Sequence, residues 1–155
     1  MASEIEARLK AMGVVLPVPG APAANYIPVV AGGGLHFVSG QIPLDGKGAV
    51  QFVGKVGREY SIEEGRAAAR LCAIMLLAHL KIALGDLDRI VRFVKVVGFV
   101  NAVPDFTDAH LVVNGASDFL TEVLGERGRH ARSAIGVGTL PRGVAVEVEA
   151  IVEAK

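Results

Sequence analysis

Charge embedded in apolar, strand-like sequence marks where this chain could do chemistry. The run from Ala131 to Val137 carries Arg132, and the alternating run from Val144 to Val152 carries Glu147 and Glu149. Between them lies the turn sequence Leu140-Pro141-Arg142-Gly143, so the pair reads as a C-terminal hairpin that brings a cation and two carboxylates near one sheet. A guanidinium is shaped for a two-point grip on a carboxylate. Glu147 and Glu149 lie two apart, which on a strand puts them on one face with about 7 Å between their Cα atoms. A half-buried glutamate beside an electrophilic carbon can activate water. A salt bridge for Arg132 and solvated strand charges for the glutamates account for the same residues, and the hairpin register that would let Arg132 and Glu147 share a face is open.

Other chemistries find less support. His36, His79, His110 and His130 have no metal-ligand spacing, so no metal is expected. Gly32-Gly33-Gly34 lacks the order of a dinucleotide loop, and no phosphate site is implied. Cys72 is the only cysteine, which excludes an internal disulfide and suits a reducing, cytoplasmic setting.

The elements that must position these residues follow from periodicity. Ser3 to Met12 predicts a short amphipathic helix, an appendage ended by the Pro17 to Pro22 segment. Tyr26 to Val30 and Leu35 to Ser39 predict a hairpin around the glycines, and a short strand is possible near Val50 to Val53. Ser61-Ile62-Glu63-Glu64 has capping-box spacing and starts a helix that runs to Leu84 and stops at Gly85. Ile90 to Val97 predicts a strand. Helical sequence begins at Pro104 and Asp105, Asn114 is a candidate cap for a further helix, and Gly125 ends it. The order hairpin, helix, strand, helix, hairpin predicts an α+β layer with two long helices on one face of a mixed sheet.

Composition bounds the partners. The 155 residues fit one domain, and 52% apolar against 21% charged residues is high for a soluble monomer of that size, which points to surface buried between subunits. The 16 basic and 16 acidic residues cancel, with no basic run for phosphates, so nucleic acid is disfavoured as an obligate partner. No export signal is expected at the N-terminus, where acidic residues stand in place of a basic region. Leu71 to Leu84, interrupted by His79 and Lys81, is shorter than the roughly 20 residues of a membrane span.

Ser39-Gly40-Gln41-Ile42-Pro43, Arg132-Ser133-Ala134, and Leu140-Pro141 through Val146-Glu147-Val148-Glu149-Ala150 together resemble the Rid family of reactive intermediate deaminases, also called YjgF-like or L-PSP endoribonuclease-like. The likeness covers about residues 20 to 153, with residues 1–19 as an N-terminal helical extension and 20–155 as one domain. It implies a chorismate-mutase-like fold and a homotrimer with ligand clefts between subunits. It also implies cofactor-free hydrolysis of enamine and imine intermediates such as 2-aminoacrylate to 2-oxo acids and ammonia.

By the resemblance, Arg132 grips the substrate carboxylate and Glu147 helps water attack the imine carbon. Tyr26 and Ser39 match cleft residues, and Asn114 corresponds to a family asparagine. Glu149 is then a structural charge. Ala134 stands where many deaminating members have cysteine, and the Asp105 to Gly115 region is longer, as in a divergent branch. Two other functions fit the same framework: a noncatalytic binder of small carboxylate metabolites, and an endoribonuclease or translation inhibitor.

Overall fold

Residues 3–22 and 24–155 are described by a computed structural model. Ser3 caps the first helix, α1 (Glu4–Ala11), by accepting a hydrogen bond from the Glu6 N–H. The helix is tied into the core: Ile5 and Leu9 are each 2% exposed, and burying two such side chains stabilises the junction by about 2 kcal/mol apiece. Asp88 clasps its first turn, accepting from the Glu4 N–H at 2.7 Å and the Ile5 N–H at 3.0 Å.

The glycine-rich hairpin forms, with β1 (Val29–Gly32) antiparallel to β2 (Leu35–Gln41), though β1 starts three residues later than the expected Tyr26 to Val30 run. Gly33 and Gly34 have φ of 60° and 81°, the left-handed pair that a two-residue hairpin turn requires. The stretch near Val50 to Val53 makes only isolated bridges, Leu44 with Val50 and Val53 with Val144. Helix α2 (Ile62–Leu84) carries the capping box at Ser61 and Glu64 and ends at Gly85. It is long and apolar enough to cross a bilayer, yet twelve of its residues, among them Cys72, Leu76, Leu77 and Leu80, are buried in this core.

After β3 (Ile90–Asn101), helix α3 (Ala109–Leu124) starts later than Pro104 and earlier than Asn114, which therefore lies inside the helix and caps nothing. Asp108 occupies the cap position without a side-chain hydrogen bond. Helices α2 and α3 pack closely because Gly115 has no side chain: a Cβ there would sit 2.0 Å from the Arg66 carbonyl oxygen.

The C-terminal hairpin does not form. Strand β4 (Ala131–Val137) pairs parallel to β3, and β5 (Val146–Ala154) pairs antiparallel to β3 on its other side and to β2. The sheet order is β1-β2-β5-β3-β4, a mixed five-stranded sheet. The turn through Arg142 and Gly143, with φ of 59° and 70°, thus carries the chain past the end of β3 instead of folding β5 back on β4. Both arrangements satisfy the same turn and strand signals, and burial decides between them. Val146, Val148 and Val152 are all 0% exposed, which is attainable only in the middle of the sheet beneath helices. Helix α2 lies over β2 and β5, and α3 over β3 and β4.

Candidate active site

Register fixes the direction of Arg132. It pairs with Val96, which pairs in turn with Ala150, and both neighbours are buried under the helices, so Arg132 stands on the helix side of edge strand β4. There α3 receives it. Arg132 Nη1 donates to Asn114 Oδ1 at 2.8 Å and to Ser117 Oγ at 3.1 Å, while Nη2 donates to the His110 carbonyl at 3.2 Å. Positions 110, 114 and 117 recur at helical spacing, so one face of α3 supplies all three acceptors. Among the described residues no carboxylate comes within 4.0 Å of this guanidinium. Its orientation is set by neutral oxygens, its charge is left unpaired, and its Nε–H and one Nη2–H remain to meet a ligand.

Glu147 stands on the other side of the sheet. It pairs with Phe99 on β3, and its neighbours along β5, Val146 and Val148, point to the helices. Its carboxylate lies over Gly40, where β2 bulges between Val38 and Gln41. A Cβ on Gly40 would sit 1.9 Å from Glu147 Oε1, so glycine at this position is what leaves room for the carboxylate. Partial burial and the nearby Glu149 charge both raise the Glu147 pKa above the usual carboxylate value. Such a group is more basic than a free glutamate, which suits proton abstraction from water.

Ser39 and Tyr26 belong to the β1 end of the sheet. The Ser39 hydroxyl and backbone N–H both donate to the Pro28 carbonyl at 2.9 Å, which ties the segment before β1 to the bulge. Tyr26, two residues before Pro28, is 47% exposed.

Two groups of residues result. Arg132 and Asn114 are joined at the β4 edge, whereas Glu147 and Ser39 flank the β2 bulge at Gly40, and Tyr26 lies in the exposed segment before β1. Within one chain the two groups share no cleft, because β3 separates the strands of Arg132 and Glu147 and the side chains take opposite faces. The sequence reading does not single out Ser117, weighs His130 only as a metal ligand, and takes Gly40 only as part of the Ser39-Gly40-Gln41 motif. Ser117 is three residues beyond Asn114 and His130 is two before Arg132, so helix and strand periodicities carried a signal for each. Cys72 is fully buried and its thiol donates to the Val146 carbonyl, with burial pushing its pKa up, so it is no nucleophile.

Residues 6–150 match the family described as YjgF/chorismate mutase-like, putative endoribonuclease, a span that begins within α1. The chain belongs to the YjgF/Rid family. Protein TCP17 of Trypanosoma cruzi is 47% identical over 150 residues, covering 96% of this chain and 93% of that protein. The 2-iminobutanoate/2-iminopropanoate deaminase of Salmonella typhimurium is 32% identical over 142 residues, covering 90% and 97% respectively. The crystal structure of protein Atu1372 from Agrobacterium tumefaciens superimposes with a TM-score of 0.90 at 47% identity, covering 97% of this chain and 94% of that one. The YjgF fold, a mixed sheet with two long helices on one face, is therefore that of the family, which includes an imine deaminase.

Proposed function

We propose that this protein is a cofactor-free deaminase of small imino acids, hydrolysing 2-aminoacrylate-like enamine and imine intermediates to 2-oxo acids and ammonia. The observation that carries this is the guanidinium of Arg132: held by three neutral oxygens, it has no carboxylate partner among the described residues. A group oriented and left uncompensated in this way is prepared for an anion. The deaminase of Salmonella, similar over most of both chains, supports the reaction class.

In this reading Arg132 takes the substrate carboxylate. Glu147 accepts a proton from water as its oxygen bonds to the imine carbon, and the C=N π electrons pass to nitrogen, which takes up a proton. The resulting carbinolamine passes its hydroxyl proton to nitrogen as C=O forms and the C–N bond breaks, releasing ammonia; an enamine substrate first tautomerises to the imine, its β-carbon gaining a proton as its nitrogen loses one. Tyr26 and Ser39 line the same cleft and Asn114 steadies the arginine. The cleft forms between copies in a homotrimer, each interface joining Arg132 of one subunit to the Glu147 group of the next. Two features support that assembly. The anchor and the base lie apart in a single chain, and the sheet face opposite the helices exposes Val30, Phe37 and Ile135 by 51%, 47% and 43% with no described segment covering them. A cytoplasmic location completes the reading.

The test is ammonia and 2-oxo acid release from imino acids generated in situ by a pyridoxal-phosphate lyase or an amino acid oxidase. Wild-type protein is expected to exceed buffer and Arg132→Ala; equal rates would refute the proposal. A noncatalytic metabolite binder is the second reading, favoured by the separation of Arg132 from Glu147, since binding needs only the arginine. Binding of a 2-oxo acid that is unchanged in Glu147→Gln, without turnover, would select it. The endoribonuclease reading has the family description in its favour, while the equal numbers of acidic and basic residues weigh against a phosphate-binding surface.

A further inference from the structure

His130 precedes β4 and reaches α3. Its Nδ1 is 2.6 Å from the Gly128 carbonyl oxygen, and its Nε2 is 2.9 Å from Ser117 Oγ. A carbonyl only accepts, so Nδ1 carries the proton, and in the neutral ring Nε2 is left as a lone pair. The Ser117 hydroxyl must then donate to Nε2. Its own lone pairs are thereby turned to the Arg132 Nη1–H at 3.1 Å.

We propose that His130 is a positioning residue that sets the Ser117 hydroxyl as an acceptor and so holds the Arg132 guanidinium in its carboxylate-gripping orientation. Without the imidazole the hydroxyl rotates freely, and its hydrogen competes with the guanidinium hydrogen for the space between the two side chains. The origin of the relay is itself rigid. A Cβ on Gly128 would meet the Leu120 carbonyl oxygen at 2.3 Å, so the turn that presents the Gly128 carbonyl is pressed against the backbone of α3. The order is Gly128 carbonyl, His130, Ser117, Arg132, with Asn114 gripping the same Nη1. Burial, helped by the adjacent guanidinium, outweighs the Gly128 hydrogen bond and favours the neutral imidazole on which this proton order depends.

The inference rests on Arg132 as the carboxylate anchor, and the experiment separates the two. Equilibrium binding of 2-oxobutanoate and steady-state hydrolysis of 2-iminobutanoate generated in situ would be measured on full-length wild type, Ser117→Ala, His130→Ala, the double variant, Ser117→Thr, and Arg132→Ala. Ser117→Ala and His130→Ala should each weaken binding and raise KM by about tenfold, with kcat changed less than about twofold. The double variant should be no worse than either single one, and Ser117→Thr should bind like wild type because it keeps the hydroxyl. If His130→Ala does not fold, His130→Phe and His130→Gln take its place, with loss expected in the first and retention in the second. Wild-type affinity in the single variants, or strictly additive losses in the double, overturns the relay while Arg132→Ala still loses binding. Wild-type affinity in Arg132→Ala overturns the anchor itself and the relay with it.

Discussion

Arg132 and Glu147 project from opposite faces of one sheet, with β3 between their strands. A reaction needing both must take them from two chains. Arg132→Ala and Glu147→Gln, each inactive alone, should therefore complement when co-expressed or unfolded and refolded together. In the proposed trimer, random mixing leaves about a quarter of the interfaces with both native groups, so about a quarter of wild-type turnover should return. No recovery, in mixtures shown by mass spectrometry to contain hybrid trimers, would mean that the site lies within one chain.

Gly40 should matter to activity more than to stability. The backbone there has no positive φ, and the atoms a Cβ would meet are the outer end of the Glu147 side chain, which can swing away. Gly40→Ala should lower kcat by on the order of tenfold or more, through displacement of the base, while the melting temperature shifts by only a few degrees. Steady-state kinetics and a thermal melt on one preparation decide it.

The acid limb of the pH profile should belong to Glu147. Burial and then the Glu149 charge raise its pKa, and the base works only when ionised, so activity should fall at a pH above that expected for an ordinary glutamate. Removing the like charge in Glu149→Gln should move this limb to lower pH. The same group costs stability at neutral pH: a raised folded pKa means that its contribution is full below the unfolded value of 4.5 and is lost as pH rises through the folded value. Glu147→Gln should consequently unfold at higher urea concentration than wild type near neutral pH, and the advantage should vanish under acid.

His79 and His130 act in the opposite sense. Burial lowers both pKa values below 6.5, so the stability they lend is whole above that pH and is lost as pH falls through their lower folded values. The histidine contribution to the urea midpoint should begin to fall as pH drops below 6.5. His79→Gln should flatten that part of the curve.

The contact between α2 and α3 should tolerate no side chain at position 115. A Cβ would strike the Arg66 backbone, which cannot swing aside, so Gly115→Ala should destabilise by on the order of 3 kcal/mol, read from urea unfolding.

Much of this was legible in one dimension because the signals are local. The Ser61 capping box, Gly85 and Gly125 as helix ends and the Gly33-Gly34 turn are decided by backbone geometry within a few residues, so α2 formed where periodicity put it, while the starts of α3 and of the first hairpin strand shifted by several residues. Asn114 was misread as a cap because an isolated asparagine has the same short polar side chain whether it ends a helix or faces an arginine.

By itself, the sequence determined the residue types available for chemistry, the family and the α+β order of elements, since each depends on composition, motif or short-range spacing. Only the tertiary structure decided that β5 sits between β2 and β3, which broke the expected C-terminal hairpin and put Arg132 and Glu147 on separate faces. Strand order is set by which apolar faces are buried together over long separations, and no turn signal encodes it. The same holds for Gly40 beneath Glu147, and for the link from His130 through Ser117 to Arg132, where residues far apart in the chain meet through packing.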